Sequence, residues 1–365
     1  MTTSLQSENL TTCGTIVGQQ SSLADRIVAR HYSLRPDLAA RYGEQGRNRW
    51  VADAKRHLEA LSQSIATGRS ALFVDYVAWA KIFLGSRGIP VQDLADSLEA
   101  CRQTLDEVLR GDQAALADEY LLDSLSCLSE LPSSVPSYLA PDRPLADLAR
   151  RYLDALLNAN RRDASALVMD AVRGGTPVRD IYLHVFQRSQ YEIGRLWQSN
   201  LINIAQEHLC TAATQFIMSQ LYPLIFAAAR KNRRVVATIV GGDLHELGIR
   251  TVADFFEMDG WDTFYLGADV PSSCIVQMII DRRADVLAVS ATLMIHVGAV
   301  AELIATIRSN RARAKLIILV GGHPFNVAAN LWREVGADGY AADALRTIDV
   351  ANQLFLEKAT PCERP

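Results

Sequence analysis

The sequence has no CxxC pair, no long apolar run and no excess of basic residues. Six cysteines, at positions 13, 101, 127, 210, 274 and 362, are scattered through 365 residues. With that spacing they form neither a zinc site nor a disulfide framework, and they read as reduced thiols of a cytoplasmic protein. Residues 221–230 are apolar but too short to span a bilayer, and basic residues close the run. A net charge of −4 gives no basic footprint for nucleic acid. The amino terminus lacks the charged start and apolar core of a signal peptide. Its Ser/Thr/Gln-rich composition predicts a disordered polar leader over residues 1–20. What is present is 49% apolar residue content, enough to build cores in two or three domains.

Helical periodicity dominates residues 21–130, where Leu23, Ile27 and Val28, then Leu58, Leu61 and Ile65, then Phe73, Val77 and Ile82 recur on one face. A Pro/Ser-rich stretch over residues 131–144 reads as a linker. Four amphipathic stretches with short connections follow in residues 145–230. They predict an antiparallel four-helix bundle whose third helix is capped by Thr176 with Pro177 at its first position. From residue 231 to 358 the period changes. Apolar β-branched runs at 235–240, 262–265, 286–290, 316–320 and 340–341 alternate with helices starting near Glu246, Pro271, Val297, Asn326 and Asp343. This pattern predicts a doubly wound parallel sheet of five strands, buried on both faces. Residues 359–365 form a polar tail.

The most informative segment joins the first of these strands to its helix: Gly241, Gly242, Asp243, Leu244, His245, Glu246, Leu247, Gly248. A Gly-rich turn between strand and helix is where an α/β fold places a ligand. An Asp two residues before a His can accept the imidazole's second N–H, which fixes the tautomer and frees the other nitrogen for a metal. Gly248 leaves space for a bulky ligand against the helix. The plain alternatives are a histidine that steadies a turn, an N-cap role for Asp243, and ordinary turn glycines.

The pattern Asp-x-His-x-x-Gly resembles the cobalamin-binding motif of corrinoid-dependent methyltransferases, mutases and cobalamin light sensors. Ser290, Ala291 and Thr292 at one strand end, Gly321 and Gly322 at another, and the stretch Gly336 to Tyr340 follow in that family's order. The resemblance implies that His245 takes the lower face of cobalt in place of the cofactor's dimethylbenzimidazole. Ser290 and Thr292 would then contact the nucleotide tail, and Gly321 and Gly322 would leave room for it.

In the bundle, Trp197 and the pair Glu207 and His208 stand in a Trp-x9-Glu-His spacing that resembles the cobalamin light sensors. There the Trp packs over the upper ligand, an adenosyl group, so the resemblance implies adenosylcobalamin with Trp197, Glu207 and His208 on its upper face. The sequence departs from those repressors in having Gln198 where they carry a His after the Trp, and in lacking their DNA-binding domain. In place of that domain the 21–130 segment faintly resembles globin-like sensory domains. The combination is similar to the photocobilins, which implies a bilin such as biliverdin among Phe73, Tyr76, Trp79 and Phe83. The expectation is therefore a non-enzymatic photoreceptor that signals to a protein effector or by a change of oligomer, with a homodimer as the general case. The rival is a corrinoid methyl-carrier protein of a methyltransferase system.

Overall fold

The computed structural model describes residues 2–310 and 315–359, in two units, residues 1–134 and 135–365. Among the described residues the first unit contains six helices: α1 (Thr2–Gly18), α2 (Gln20–Leu34), α3 (Asp37–Thr67), α4 (Ser70–Gly85), α5 (Val91–Val108) and α6 (Asp112–Cys127). The expected disordered leader is thus a helix. Its Thr12 and Ile16 are fully buried, and α1 packs along α3. Few apolar residues are needed to hold a helix that docks on one already formed, so its polar composition misleads.

Buried polar groups are frequent in this unit. Asp93 on α5 is fully buried and accepts from Tyr42 Oη at 2.6 Å and from Arg41. His31 and His57 are buried, and His57 Nδ1 meets Tyr76 Oη at 2.7 Å. Burial pushes both histidines down to about 4. Along α4 the rings of Phe73, Tyr76, Trp79 and Phe83 stack in sequence, and Arg87 lies 3.5 Å over Phe83.

The second unit opens with the bundle. Its helices are α7 (Ala146–Leu157), α8 (Arg161–Arg173), α9 (Val178–Ile181), α10 (Gln187–Gln198), α11 (Ile204–Gln220) and the short α12 (Tyr222–Ile225). A π-helical turn, Tyr182–Phe186, joins α9 to α10. Pro177 occupies the cap position itself, in extended geometry, so the expected Thr176 cap is displaced by one residue. Asn200 adopts φ 57° between α10 and α11, a conformation Asn tolerates, and it reverses the chain. Asn203 and Gln206 then form a reciprocal capping box at the start of α11. The long helix α11 ends at Gln220 rather than running on to residue 230, because Leu221 and Pro223 divide the apolar run into a separate turn.

The sheet has five parallel strands in the order β2-β1-β3-β4-β5: β1 (Arg234–Ile239), β2 (Asp262–Tyr265), β3 (Val286–Ser290), β4 (Ile317–Gly321) and β5 (Gly339–Tyr340). The connecting helices are α13 (Leu247–Met258), α14 (Ser272–Arg282), α15 (Val297–Ser309), α16 (His323–Val327), α17 (Leu331–Glu334) and α18 (Ala344–Ala359). The helix expected near Asn326 is instead the two short helices α16 and α17. Residues 360–365 of the expected tail lie outside the described residues.

β1, β3 and β4 are apolar along their length because helices cover both faces. Trp261 is fully buried, edge-on to Phe256 and Phe355. Each such side chain contributes about 1.5–3 kcal/mol by burial. Strand order reverses between β1 and β3, and a crevice at that point of the carboxyl edge is the general ligand site of open α/β sheets. One hydrophobic core joins sheet and bundle: Tyr182 of the π turn meets Phe255 of α13, and its Oη donates to Asp254 at 2.8 Å.

Candidate functional site

The loop after β1 lies at the switch point and carries the Asp-x-His pair. Gly242 adopts φ 87°, and its N–H donates to Asp269 Oδ1 at 2.8 Å, which turns the chain sharply out of the sheet. Asp243 is fully buried and accepts three hydrogen bonds, with a fourth group close by. His245 Nδ1 lies 2.8 Å from Oδ1, the His245 amide 3.0 Å from Oδ1, and the Thr292 amide 2.9 Å from Oδ2. His296 Nδ1 stands 3.2 Å from Oδ2 without the alignment of a hydrogen bond. Burial alone would raise this carboxyl's pKa. The His245 hydrogen bond, the His296 ring and the two amides outweigh it and hold the group well below the usual carboxylate range. An ionised Asp243 only accepts, so Nδ1 of His245 carries the proton.

His245 is turned outward, its side chain 56% exposed. With Nδ1 committed to Asp243, Nε2 has no hydrogen-bond partner among the described residues. The bond to Asp243 raises the imidazole's pKa and makes it a stronger donor, with a smaller contribution from Glu207 on the bundle. That influence shows that the first turn of α11 lies within electrostatic range of the His245 loop. Glu246, the next residue, ties the pieces together: Gln215 Nε2 of α11 donates to it at 2.7 Å, and Tyr265 Oη at the end of β2 donates at 2.8 Å.

The other expected site residues fall in two groups. Ser290 ends β3 beside Gly321, which ends β4. Thr292 acts through its backbone amide rather than its side chain. Gly322, with φ 103°, is fixed by the fold: a Cβ there would lie 2.0 Å from the Ala291 carbonyl oxygen. Gly248, in the first turn of α13, has nothing within 4 Å of a Cβ, so a side chain would project into open space. In the bundle, Trp197 is half-buried in the last turn of α10. Glu207 is 25% and His208 73% exposed, and they pair with each other at 2.7 Å. The Thr211 hydroxyl lies 3.1 Å from both Glu207 Oε1 and Gln190 Oε1, fixing α11 against α10. Sequence reasoning missed His296 and Glu246. Glu246 occupies a variable position inside the Asp-x-His-x-x-Gly segment and His296 lies outside any motif; both matter through contacts made across the loops.

Along α11, Leu209 and Phe216 are exposed apolar side chains on one face, preceded by Leu201 and Ile204, while Leu244 and Leu293 are exposed on the sheet's edge loops. No cluster of three or more His, Cys, Asp or Glu side chains suited to a metal ion occurs among the described residues. A metal at His245 would therefore have to arrive with most of its own ligands. One oriented imidazole nitrogen beside apolar surface fits a metal macrocycle and does not fit a bare cation.

Residues 233–349 match the B12 binding domain, and residues 148–222 match a second family model of the same description. Dimethylamine corrinoid protein 3 of Methanosarcina acetivorans is 23% identical over 211 residues, 57% of this chain and 97% of that protein. A corrinoid protein of Desulfitobacterium hafniense is 25% identical over 168 residues, 45% of this chain and 76% of that protein. The solved structure of the monomethylamine corrinoid protein of Methanosarcina barkeri shares the fold, with a TM-score of 0.52 and 23% identity over 58% of this chain and 100% of that one. Two segments of the chain thus match B12 binding domains, one over the helical bundle and one over the parallel sheet. No helix among the described residues is long and apolar enough to cross a membrane.

Proposed function

We propose that the protein is a corrinoid carrier that holds cobalamin through His245 and passes a methyl group between partner proteins. The observation that carries this reading is the His245 imidazole, aimed outward from the switch point with Nδ1 locked on buried Asp243 and Nε2 left free. Bound cobalamin would supply a cobalt–carbon bond able to take up and release a methyl group. His245 would hold the macrocycle from below. Asp243 holds a proton on Nδ1 and fixes the ring's angle, which turns Nε2 outward. Ser290, Gly321 and Gly322 border the crevice suited to a nucleotide tail, and Gly248 leaves the first turn of α13 open. Trp197, Glu207 and His208 would line the upper face, with α11's apolar stripe excluding water. The relatives named for dimethylamine favour methyl carriage over light sensing. The test is methyl transfer from the methylcobalamin-loaded protein to a thiol acceptor by a corrinoid methyltransferase, in the dark. Transfer lost in His245→Ala supports the reading, and a loaded protein that gives up no methyl group contradicts it.

A second reading keeps the same lower ligand but makes the protein a light sensor bearing adenosylcobalamin. One observation favours it. The 211-residue alignment covers nearly all of the dimethylamine relative, yet this chain has 365 residues, with a six-helix unit ahead of the bundle. In this reading the stacked aromatics of α4 flank biliverdin, and the output is a protein effector or a homodimer equilibrium. Illumination of the adenosylcobalamin-loaded protein separates the two readings. A light-driven change in oligomer or protease sensitivity favours sensing, and photolysis at the free cofactor's rate with no such change favours carriage.

A further inference from the structure

A cavity of about 570 Å³ opens on the bundle where the π turn, α10, the segment 135–143 and the loop before α18 meet. None of the candidate corrinoid residues lines it. Two arginines face it, Arg143 from the segment before the bundle and Arg188 from α10. Neither guanidinium forms an ion pair with a carboxylate among the described residues. Arg188 donates only to the Pro144 carbonyl, at 3.2 Å. Burial, together with the adjacent Arg143, pushes the pKa of Arg188 down, although Asp142 opposes this from nearby. Two cations therefore share one wall, Arg188 partly buried and Arg143 exposed, and neither is ion-paired with a carboxylate among the described residues.

The one carboxylate in the wall, Asp343, is already engaged. Its Oδ1 accepts from the Arg346 amide at 2.8 Å in the first turn of α18, and its Oδ2 lies 3.8 Å from Arg346 Nε. His184, brought into the wall by the π turn, has a buried Nδ1 without a hydrogen-bond partner. π turns inside helices often mark functional positions, since they move side chains off the regular helical face. Tyr138 and Tyr191, both half-exposed with ring centroids 5.4 Å apart, supply flat aromatic surface, and most of the remaining wall is apolar.

We propose that this cavity is a second binding site, for a flat organic anion. Arg143 and Arg188 take its carboxylate or phosphate, Tyr138 and Tyr191 cover its ring system, and His184 supplies one more polar contact. The size lies in the range of small-molecule sites, and paired guanidiniums beside aromatic rings suit a planar acid better than a bare ion. A ligand there would bridge the π turn and the start of α18, and so would act on the packing of bundle against sheet.

The experiment is calorimetric titration of the full-length, cobalamin-loaded protein with 2-naphthoate, 2-naphthyl phosphate and uncharged 2-naphthol. At least one anion is expected to bind one-to-one, at least ten-fold more tightly than 2-naphthol. The better anion identifies the head group as carboxylate or phosphate. The variant R143Q/R188Q is expected to weaken binding at least ten-fold while leaving the cobalamin spectrum unchanged. Should that variant misfold, R143Q alone is expected to weaken binding at least three-fold. Absence of saturable binding by both anions, equal binding of 2-naphthol, or unchanged affinity in the folded arginine variants overturns the proposal.

Discussion

Gln215 of α11 donates to Glu246 at 2.7 Å, so the bundle touches the residue immediately after His245. Tyr265 donates to the other oxygen of the same carboxylate at 2.8 Å. Glu246 thus links the bundle, the sheet and the His245 loop. Glu246→Ala is expected to lower cobalamin affinity about 3- to 10-fold, the loss of one or two hydrogen bonds to a charged group. The His245 ligation should remain in its visible spectrum. Equilibrium titration read against that spectrum checks both outcomes.

Asp243 has a more specific role. It is fully buried and receives the His245 ring, two backbone amides and the approach of His296. Asn in its place has one acceptor oxygen and must turn N–H groups toward donors. Asp243→Asn is therefore expected to lower cobalamin affinity about 10- to 100-fold. It should also destabilise the fold by about 1–3 kcal/mol. Titration and denaturant unfolding measure the two effects separately. Unchanged affinity would remove Asp243 from any metal-positioning role.

The glycines divide by mechanism. Gly322 has φ 103° and no space beside the Ala291 carbonyl, whereas a Cβ at Gly248 meets nothing within 4 Å. Gly322→Ala is expected to cost about 2 kcal/mol or more in the cofactor-free protein. Gly248→Ala is expected to be neutral or to stabilise by up to about 1 kcal/mol there, since alanine favours a helix. Only the Gly248 change should weaken cobalamin binding without destabilising the fold. Thermal melts with and without cobalamin distinguish these cases.

The two units are expected to respond to pH in opposite directions. His57 is held down to about 4 by burial, below the usual 6.5, so the unfolded chain binds the proton more readily. Its contribution to stability is present above about pH 6.5 and is lost as pH falls toward 4, to an extent of about 3 kcal/mol. Asp254 is raised by burial to about 6 from 3.8, with Tyr182 and Arg250 opposing. Here the folded state binds the proton more readily, so its contribution is full below about pH 4 and is lost as pH rises through 6, again by about 3 kcal/mol. His57→Gln should flatten the first slope and Asp254→Asn the second. Unfolding followed between pH 4 and 7 by near-ultraviolet signals assigned to each unit reads both, and parallel slopes in variants and parent would contradict the assignments.

The sheet was legible because its strands are continuous apolar runs separated by helical periods, and two strands, 262–265 and 286–290, fall at the expected residues. The positions of Asp243 and His245 were legible because a two-residue spacing brings their side chains together within one turn. Contacts across the chain were not. His296 reaches Asp243 from the loop after another strand, and the Thr292 contribution is a backbone amide that no side chain announces. The α1 helix was hidden by its polar composition, since only its packing against α3 gives Thr12 and Ile16 a buried face. The π turn was likewise unmarked, because its residues keep helical character while shifting which face meets Asp254.

The central claim is that Nε2 of His245 binds cobalt from below. Electron paramagnetic resonance of the full-length protein loaded with cob(II)alamin tests it most directly, with histidine supplied as the natural or the ¹⁵N-labelled amino acid. Each cobalt line is expected to be split into three by ¹⁴N histidine and into two by ¹⁵N histidine, and the label is expected to have no effect in His245→Ala. A three-fold splitting that persists in the labelled parent protein would mean that the cofactor's own base still occupies the lower face, and would contradict it.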